Sequence, residues 1–316
     1  MVRVLITGGT GFIGAHLVRD CLKRGDDVSV LTRPGSDLWR LEDVLPQIRL
    51  HTVDVLDPRA VKKVLDAENP QRVFLIAAAT RFRRKSGLGE VDQALRANVD
   101  PLRIMLDAIS DLPDPPAAVV RTGTLAEIST DTAVEDAPAN IYGLSLLMGT
   151  HLQRIWREWT GIPAVTARLC LTYGAGQSED FFIPEAIAKA LNGRFEAPRQ
   201  PGARRDLLHV DDVVAALQLI ADHAGELPAT INLSTGDPQR LGDVGDIIAT
   251  LTGQSETALS QVVSADQGAD DIVSCPPSAE LASLGWMPRV TLREGIAQVI
   301  DWQRERDATS RRRHLA

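Results

Sequence analysis

The most constraining feature of the sequence is a glycine-rich turn that follows a short apolar segment at the N-terminus. Residues 2–6 read VRVLI and residues 7–14 read TGGTGFIG. Gly8 permits a tight turn from strand to helix, Gly11 lets a pyrophosphate approach the backbone, and Gly14 lets the helix pack closely on the strand. The sequence therefore predicts a dinucleotide-binding turn, with an ordinary turn without ligand as the alternative.

The ends of the following predicted strands supply further candidate contacts for a dinucleotide. Thr32 and Arg33 follow the second strand, at the place where NAD sites usually carry a carboxylate for the ribose 2′-hydroxyl. A cation there suits a 2′-phosphate, so Arg33 favours NADP(H), with an ordinary surface arginine as the alternative. The other predicted cofactor-binding residues are Phe12, Ile13, Asp54, Val55, Ala77, Ala78 and Tyr142.

Strand and helix patterns alternate along most of the chain, which predicts an α/β fold. We expect a Rossmann-type doubly wound parallel sheet with right-handed crossovers and a smaller C-terminal substrate lobe. The predicted Rossmann domain covers residues 1–175, with parts of about 205–235 returning to it. The predicted substrate lobe covers about 176–204 and 236–306, and residues 307–316 are expected to be a disordered tail.

Charge and composition argue against several classes of partner. The 34 basic and 42 acidic residues give a net charge of −8, which does not favour nucleic acid or an anionic membrane. The sequence shows no apolar span and no signal-peptide pattern, so a cytoplasmic location is expected. Cys21, Cys170 and Cys275 suggest neither a disulfide framework nor a metal site. A monomer and a homodimer are both compatible with the sequence.

A hydroxyl group after the fifth predicted strand and a tyrosine at the start of a long predicted helix complete a set of motifs. The set comprises residues 7–14, Asp54-Val55, Asn98-Val99, Thr124, Tyr142 and residues 168–174, 205–212, 232–236 and 284–288. In this order the motifs resemble the extended short-chain dehydrogenase/reductase family, in its branch of nucleotide-sugar epimerases, dehydratases and 4-ketoreductases. The resemblance covers nearly the whole chain and implies a nicotinamide-dependent oxidoreductase.

The resemblance implies a catalytic Ser or Thr, a Tyr, and a Lys four residues after the Tyr. In that family the Tyr donates a proton to the carbonyl oxygen and the Lys lowers the pKa of the Tyr. Thr124 and Tyr142 match the first two positions, but Leu146 stands where the lysine belongs. A phenol with a pKa of about 10 stays protonated at neutral pH, so Tyr142 is predicted to be a weakened proton relay.

The resemblance also implies a diphosphate site in the C-terminal lobe, where the sequence departs from the family again. Arg205 matches a phosphate ligand of the family, but the turn that carries a second arginine there reads GADD at residues 268–271. The two acids would weaken binding of a diphosphate. Arg81, in a basic segment after the fourth strand, and Phe181 are further candidate substrate contacts; a solvated loop and a core aromatic are the alternatives.

These departures favour an NADPH-dependent ketoreductase of secondary metabolism, acting on a small-molecule ketone such as an aromatic polyketide of antibiotic biosynthesis. The chain has a second resemblance, to atypical polyketide ketoreductases such as that of simocyclinone assembly. Two alternatives stay open. One is a nucleoside-diphosphate-4-keto-sugar reductase or epimerase that tolerates Leu146, and the other is a non-catalytic NADP-binding regulatory protein.

Overall fold

The computed structural model describes residues 1–80, 82, 89–128, 138, 140–254 and 271–315, with the backbone alone for 309–315. The chain forms two compact units. The first unit comprises Met1–Leu169, Val214–Leu233 and Ser278–Trp286. The second unit comprises Cys170–Val213, Ser234–Pro277 and Met287–Ala316.

The first unit is built on a parallel sheet of seven strands in the order β10-β6-β5-β4-β1-β2-β3. Its strands are β1 (Arg3–Thr7), β2 (Asp27–Thr32), β3 (Arg49–Thr52), β4 (Arg72–Leu75), β5 (Ala118–Thr124), β6 (Ala164–Leu169) and β10 (Thr230–Leu233). Val4, Leu5 and Ile6 of β1 are all buried, as expected for a central parallel strand with both faces covered. The predicted doubly wound Rossmann sheet is confirmed.

Helices and short turns connect these strands. They are α1 (Phe12–Lys23), α2 (Pro58–Glu68), α3 (Gly89–Ala94), α4 (Asp100–Ser110), α5 (Ile141–Thr160), α9 (Ala279–Ser283), 3-10 turns at Trp39–Leu41, Leu45–Gln47 and Leu125–Glu127, and the part of α7 (Val210–Asp222) from Val214. Leu102, Leu106 and Ile109 of α4 join a buried cluster with Leu5 and Val119 of the sheet. α4 therefore covers one face of the sheet.

The segment from Leu95 to Ile109 has apolar residues at helical spacing, but it does not form one regular helix. A π-helical segment at Leu95–Val99 separates α3 from α4, and Pro101 occupies the first turn of α4. Proline lacks the N–H group that a continuous α-helix would need at this point, so the hydrogen-bond pattern changes before it. Asn98 lies in this π-helical segment and is buried. Its side chain takes part in the candidate site described below.

The second unit contains short strands and four helical segments among its described residues. They are β7 (Leu171–Tyr173), β8 (Arg204–Arg205), β9 (Leu207–His209), β11 (Gln239–Arg240), β12 (Ile272–Val273), α6 (Phe182–Leu191), the start of α7, α8 (Leu241–Thr252) and α10 (Leu292–Leu315). The unit begins at Cys170, before the predicted boundary at 175, because β7 pairs with β9. Ile187, Ile248 and Ile300 lie in its apolar core.

The C-terminal segment differs from the sequence-based expectation. α10 extends to Leu315, so residues 307–315 are helical and do not form a disordered tail. Residues 304–315 include five Arg and contain no Gly or Pro, a composition that allows the helix to continue. None of the helices in the described part of the chain is long and apolar enough to span a membrane.

Candidate cofactor and catalytic site

The glycine turn after β1 folds tightly on itself and against the loop after β4. Gly8 has φ +72°, and a Cβ atom there would lie 2.6 Å from the backbone nitrogen of Ala77. The Gly11 N–H donates to Gly8 O at 2.9 Å. A Cβ atom at Gly14 would lie 2.1 Å from Gly8 O. These contacts occur between β1 and β4, where the strand order of the sheet reverses and ligands of such sheets bind.

The N-terminus of α1 presents backbone donors to this crevice. Gly11 is the N-cap residue, no described side chain caps this end, and no acidic residue occupies the first turn. Phe12 and Ile13 form the first turn, with the Phe12 ring edge-to-face against His16. Uncapped N–H groups and the positive end of the helix dipole favour an anion such as a pyrophosphate.

The residues predicted to contact the adenosine half lie at the ends of β2 and β3. Thr32 is buried, and its carbonyl accepts from Val53 N at 2.9 Å. Arg33 is exposed, and within the described part of the chain its guanidinium has no hydrogen-bond or ion-pair partner. Asp54 is exposed and accepts from Leu56 N at 3.0 Å, whereas Val55 packs against the core. Arg33 is thus available to a negatively charged group.

Asn98 connects the loop after β4 to the helix that carries Tyr142. The loop residues Ala77 and Ala78 are exposed and follow β4, which ends at Leu75. Asn98 accepts from Ala79 N at 2.7 Å and donates to Ala79 O at 3.0 Å. Its Nδ2 also donates to Ser145 Oγ at 2.9 Å, and Ser145 Oγ donates to Tyr142 O at 2.8 Å. Asn98 therefore fixes the position of the first turn of α5.

Thr124 and Tyr142, 18 positions apart in sequence, are brought into hydrogen-bond contact. Thr124 ends β5, and Tyr142 lies in the first turn of α5, which Asn140 caps by accepting from Gly143 N at 2.9 Å. A Cβ atom at Gly143 would lie 2.0 Å from Ala126 O, so the glycine lets α5 approach the turn after Thr124.

Burial raises the pKa of Tyr142 above the usual value for a phenol. The hydrogen bond from Thr124 and the charge of Arg121 act in the opposite direction, and the charge of Glu127 adds to the increase. Leu146 occupies the lysine position on the same helix, and its side chain is buried. Tyr142 is therefore protonated at neutral pH and can donate a proton.

A buried network of charged and polar residues lies behind this pair. We call Arg121, Glu127, Thr150 and Arg168 the Glu127 network. Glu127 is fully buried and accepts from Thr124 N at 2.9 Å, from Thr150 Oγ1 at 2.7 Å and from Arg168 Nε at 2.9 Å. Arg121 donates to Thr150 Oγ1 and to Leu146 O, both at 3.1 Å. The network holds Thr124 and α5 in a fixed relation.

Neutralising Glu127 is expected to destabilise the chain. The Glu127→Gln variant keeps the shape of the side chain but removes the ion pair with Arg168 and a negative charge that offsets the buried guanidinium of Arg121. The free energy of unfolding should fall by about 2–3 kcal/mol. Urea unfolding measures the change. Glu196→Gln is the control, since Glu196 pairs with Lys189 at the surface and its loss should leave the stability nearly unchanged. Equal losses in the two variants would contradict this role of Glu127.

Two of the three predicted substrate residues belong to the second unit, and the third lies outside the described residues. Arg205 Nη2 forms an ion pair with Asp271 Oδ2 at 2.6 Å, and its Nη1 donates to Asp271 O at 2.8 Å. Phe181 precedes α6 and is partly exposed. Arg81 lies outside the described residues, as do residues 268–270 of the GADD turn. Arg205 is therefore held by the last acid of that turn.

The sheet order, the glycine turn at the strand reversal and the Thr124–Tyr142 pair together define a dinucleotide-dependent enzyme of the extended short-chain dehydrogenase/reductase type. The model of the NAD dependent epimerase/dehydratase family matches residues 4–234. The chain belongs to this family. It is an NAD(P)-dependent enzyme of the oxidoreductase class.

Individual relatives agree with this assignment over nearly the whole chain. A dTDP-glucose 4,6-dehydratase of Xanthomonas campestris pv. campestris is 29% identical, over 96% of this chain and 93% of the relative. The structure of MoeE5 in complex with UDP-glucose and NAD is 26% identical with a TM-score of 0.78, over 96% of this chain and 99% of that one. A Bacillus anthracis dTDP-glucose 4,6-dehydratase in complex with NAD has a TM-score of 0.81 at 19% identity, over 98% of both chains.

Proposed function

We propose that the chain is an NADP(H)-dependent reductase or epimerase that acts on a nucleoside-diphosphate sugar through the carbinol or ketone at C4. The observation that carries this proposal is the Thr124–Tyr142 pair at the carboxyl edge of the sheet. Support for the substrate class comes from the relatives, whose names specify dTDP-glucose or whose structure contains UDP-glucose. A nucleotide sugar thus takes precedence over the aromatic polyketide expected from the sequence.

The roles of the chain's own residues follow from their chemistry. When bound, the nicotinamide supplies a hydride to the carbonyl carbon or accepts one in the reverse direction. Tyr142 gives its phenolic proton to the carbonyl oxygen as the C–H bond forms, and the phenolate recovers a proton from solvent. Thr124 holds the phenol in place by its hydrogen bond. The N-terminus of α1 would hold the pyrophosphate, and Arg33 would pair with the 2′-phosphate.

Reduction or epimerisation fits this site better than dehydration. Loss of water from a sugar requires one group to remove a carbon-bound proton and another to protonate the leaving hydroxyl. Leu125 and Ala126, which follow Thr124, are apolar, and both carboxylate oxygens of Glu127 already accept hydrogen bonds within the buried network. Within the described part of this turn, no carboxylate is available for that chemistry.

A second candidate substrate, a natural-product ketone, is favoured by one observation. Arg205 is already paired with Asp271, so a diphosphate would have to compete with that carboxylate for the guanidinium. An aromatic polyketide carries no diphosphate and therefore does not need this guanidinium. The two candidates therefore differ in one property: the nucleotide-sugar enzyme should bind a free nucleoside diphosphate, and the polyketide enzyme should not.

The decisive experiment measures binding and turnover together. UDP and dTDP are titrated into the NADPH-loaded protein by calorimetry, and NADPH oxidation is followed with 4-keto nucleotide sugars and with aromatic polyketide ketones. Binding of either nucleotide, with turnover of its 4-keto sugar, would support the proposal. Turnover of aromatic ketones without nucleotide binding would replace it with the polyketide activity.

Arg33 is expected to determine the preference for NADP(H) over NAD(H). A charge-assisted contact of about 1.5–3 kcal/mol to the 2′-phosphate should make Arg33→Ala bind NADPH about tenfold or more weakly, while NADH binding is unchanged. Fluorescence titration of both cofactors measures the effect. The control is Lys23→Ala, which removes a positive charge from the far end of α1. Equal weakening of NADPH and NADH by Arg33→Ala would refute the assignment.

A further inference from the structure

An ion pair in the second unit occupies a guanidinium that is suited to a phosphate group. Arg205 Nη2 donates to Asp271 Oδ2 at 2.6 Å, and Arg205 Nη1 donates to Asp271 O at 2.8 Å. A planar guanidinium binds phosphate oxygens with the same donors. We propose that Asp271 is a specificity-determining residue that competes with the diphosphate of the substrate for Arg205, an inference that rests on the proposed nucleotide-sugar function.

The backbone brings these two side chains together. β12 pairs in parallel with β8, and Val273 lies opposite Arg205 in the register. The Arg204 N–H donates to Asp271 O at 2.9 Å, and the Asp206 N–H donates to Val273 O at 3.0 Å. Asp271 is thus held directly before β12, beside the guanidinium. The pairing of the two strands therefore determines that this carboxylate meets this arginine.

A buried carboxylate fixes the pairing of β8 and β12. Asp206, which follows β8, is 1% exposed. Its Oδ1 accepts from Thr235 N at 3.0 Å and from Thr235 Oγ1 at 2.7 Å. Its Oδ2 accepts from Gly236 N and from Ser274 Oγ, both at 2.9 Å, and Ser274 directly follows β12. A shift of β12 away from β8 would break bonds to a buried charge, so rotation of the Asp271 side chain is the cheaper way to release Arg205.

The exposure of the pair allows an anion to take the place of Asp271. The Arg205 side chain is 19% exposed and the Asp271 side chain is 42% exposed. Ion pairs that water reaches are weak, so a diphosphate with its greater charge can displace the carboxylate. The displaced carboxylate stays nearby and repels the diphosphate. Asp271 therefore permits binding but lowers the affinity, and it favours ligands without a diphosphate.

The neighbouring arginine provides a matched comparison. Successive residues of a strand point to opposite faces, so Arg204 and Arg205 point to opposite faces of β8. Arg204 Nη1 donates to Pro238 O at 3.4 Å. In the part of the chain that the structure describes, Arg204 forms no ion pair. Arg204 carries the same charge on the same strand without a carboxylate partner.

The test is calorimetric titration of UDP and dTDP into the NADPH-loaded wild type and variants. Asp271→Asn keeps the size of the side chain but removes its charge, so each nucleotide should bind about tenfold more tightly. Asp271→Ala should give at least the same gain. Asp301→Asn is the control, because it removes the same charge from the second unit but Asp301 pairs with Arg304. Nucleotide binding should be unchanged in that control.

Two double variants show whether the gain depends on Arg205. In the Asp271→Asn background, Arg205→Met should cancel the gain, whereas Arg204→Met should keep it. Thermal unfolding of each variant establishes that it is folded. Equal nucleotide affinity in wild type and Asp271→Asn, an equal gain in Asp301→Asn, or a gain that survives Arg205→Met would overturn the role of Asp271.

The outcomes also separate this inference from the proposed function. If the wild type binds a nucleotide and reduces its 4-keto sugar, but Asp271→Asn binds no more tightly, the proposed function stands and Asp271 has no selective role. If Asp271→Asn binds nucleotides and the wild type does not, Asp271 is the selective residue and the wild-type substrate carries no diphosphate. If neither protein binds a nucleotide, both proposals are wrong.

Discussion

Gly11→Val is expected to eliminate binding of the dinucleotide while leaving the fold intact. Gly11 has φ −80°, which valine adopts without strain, and the one described atom within 4 Å of a Cβ atom added there is Gly8 O at 3.1 Å. The new side chain would therefore extend into space that the chain itself leaves open at the N-terminus of α1. That space is where a pyrophosphate approaches the backbone in sheets of this order.

Gly14→Val provides the contrasting control for this experiment. Its Cβ atom would lie 2.1 Å from Gly8 O and 2.8 Å from Gly9 Cα, so the turn itself would have to move. Thermal unfolding with and without NADPH distinguishes the two variants. Gly11→Val should keep the wild-type Tm and lose the NADPH-induced increase, whereas Gly14→Val should unfold at a lower temperature. A Gly11→Val protein that NADPH still stabilises would exclude this turn as the cofactor site.

Local sequence signals were sufficient to predict the first unit. Gly11 and Gly14 make their close contacts with Gly8 O, within the same turn, and alternating strand and helix patterns determine the parallel order of the sheet. Likewise, Asn140 and Gly161 mark the ends of α5, because one caps the first turn and the other adopts φ +72° after the last. These features require no knowledge of distant contacts.

The buried network could not be predicted in the same way. Arg121 meets Leu146 and Thr150, which lie 25 and 29 positions further along the chain, and no spacing rule connects them. Glu127 has a local signal, since Thr124 and Glu127 form the capping-box pattern that both side chains satisfy. An arginine within an apolar strand is a weaker signal, because a strand residue at a sheet edge can be exposed.

The missing lysine, taken alone, favours an aromatic polyketide as the substrate. Leu146 suggested a weakened proton relay, and an aromatic polyketide with its own phenols could supply the proton that Tyr142 could not. The family assignment gives the proposed nucleotide sugar precedence over that substrate.

Tyr142→Phe is expected to lower the rate constant for hydride transfer by about a hundredfold or more at saturating cofactor. The missing lysine alone would predict a loss of about tenfold, since an untuned phenol contributes less to proton transfer. Burial keeps the phenol protonated at neutral pH, so in the proposed reaction Tyr142 is the group that donates the proton. Single-turnover mixing with a 4-keto nucleotide sugar measures the rate constant across pH.

The companion variant Thr124→Val identifies which hydroxyl gives the proton. It removes the hydrogen bond to Tyr142 but keeps the phenol, so the rate constant should fall by less than in Tyr142→Phe. Cofactor affinity should stay close to wild type in both variants, because the proposed pyrophosphate site lies at Gly8 and Gly11. A Tyr142→Phe enzyme that keeps a tenth of its rate, or a larger loss in Thr124→Val, would transfer the role of proton donor from Tyr142 to Thr124 or to the substrate itself.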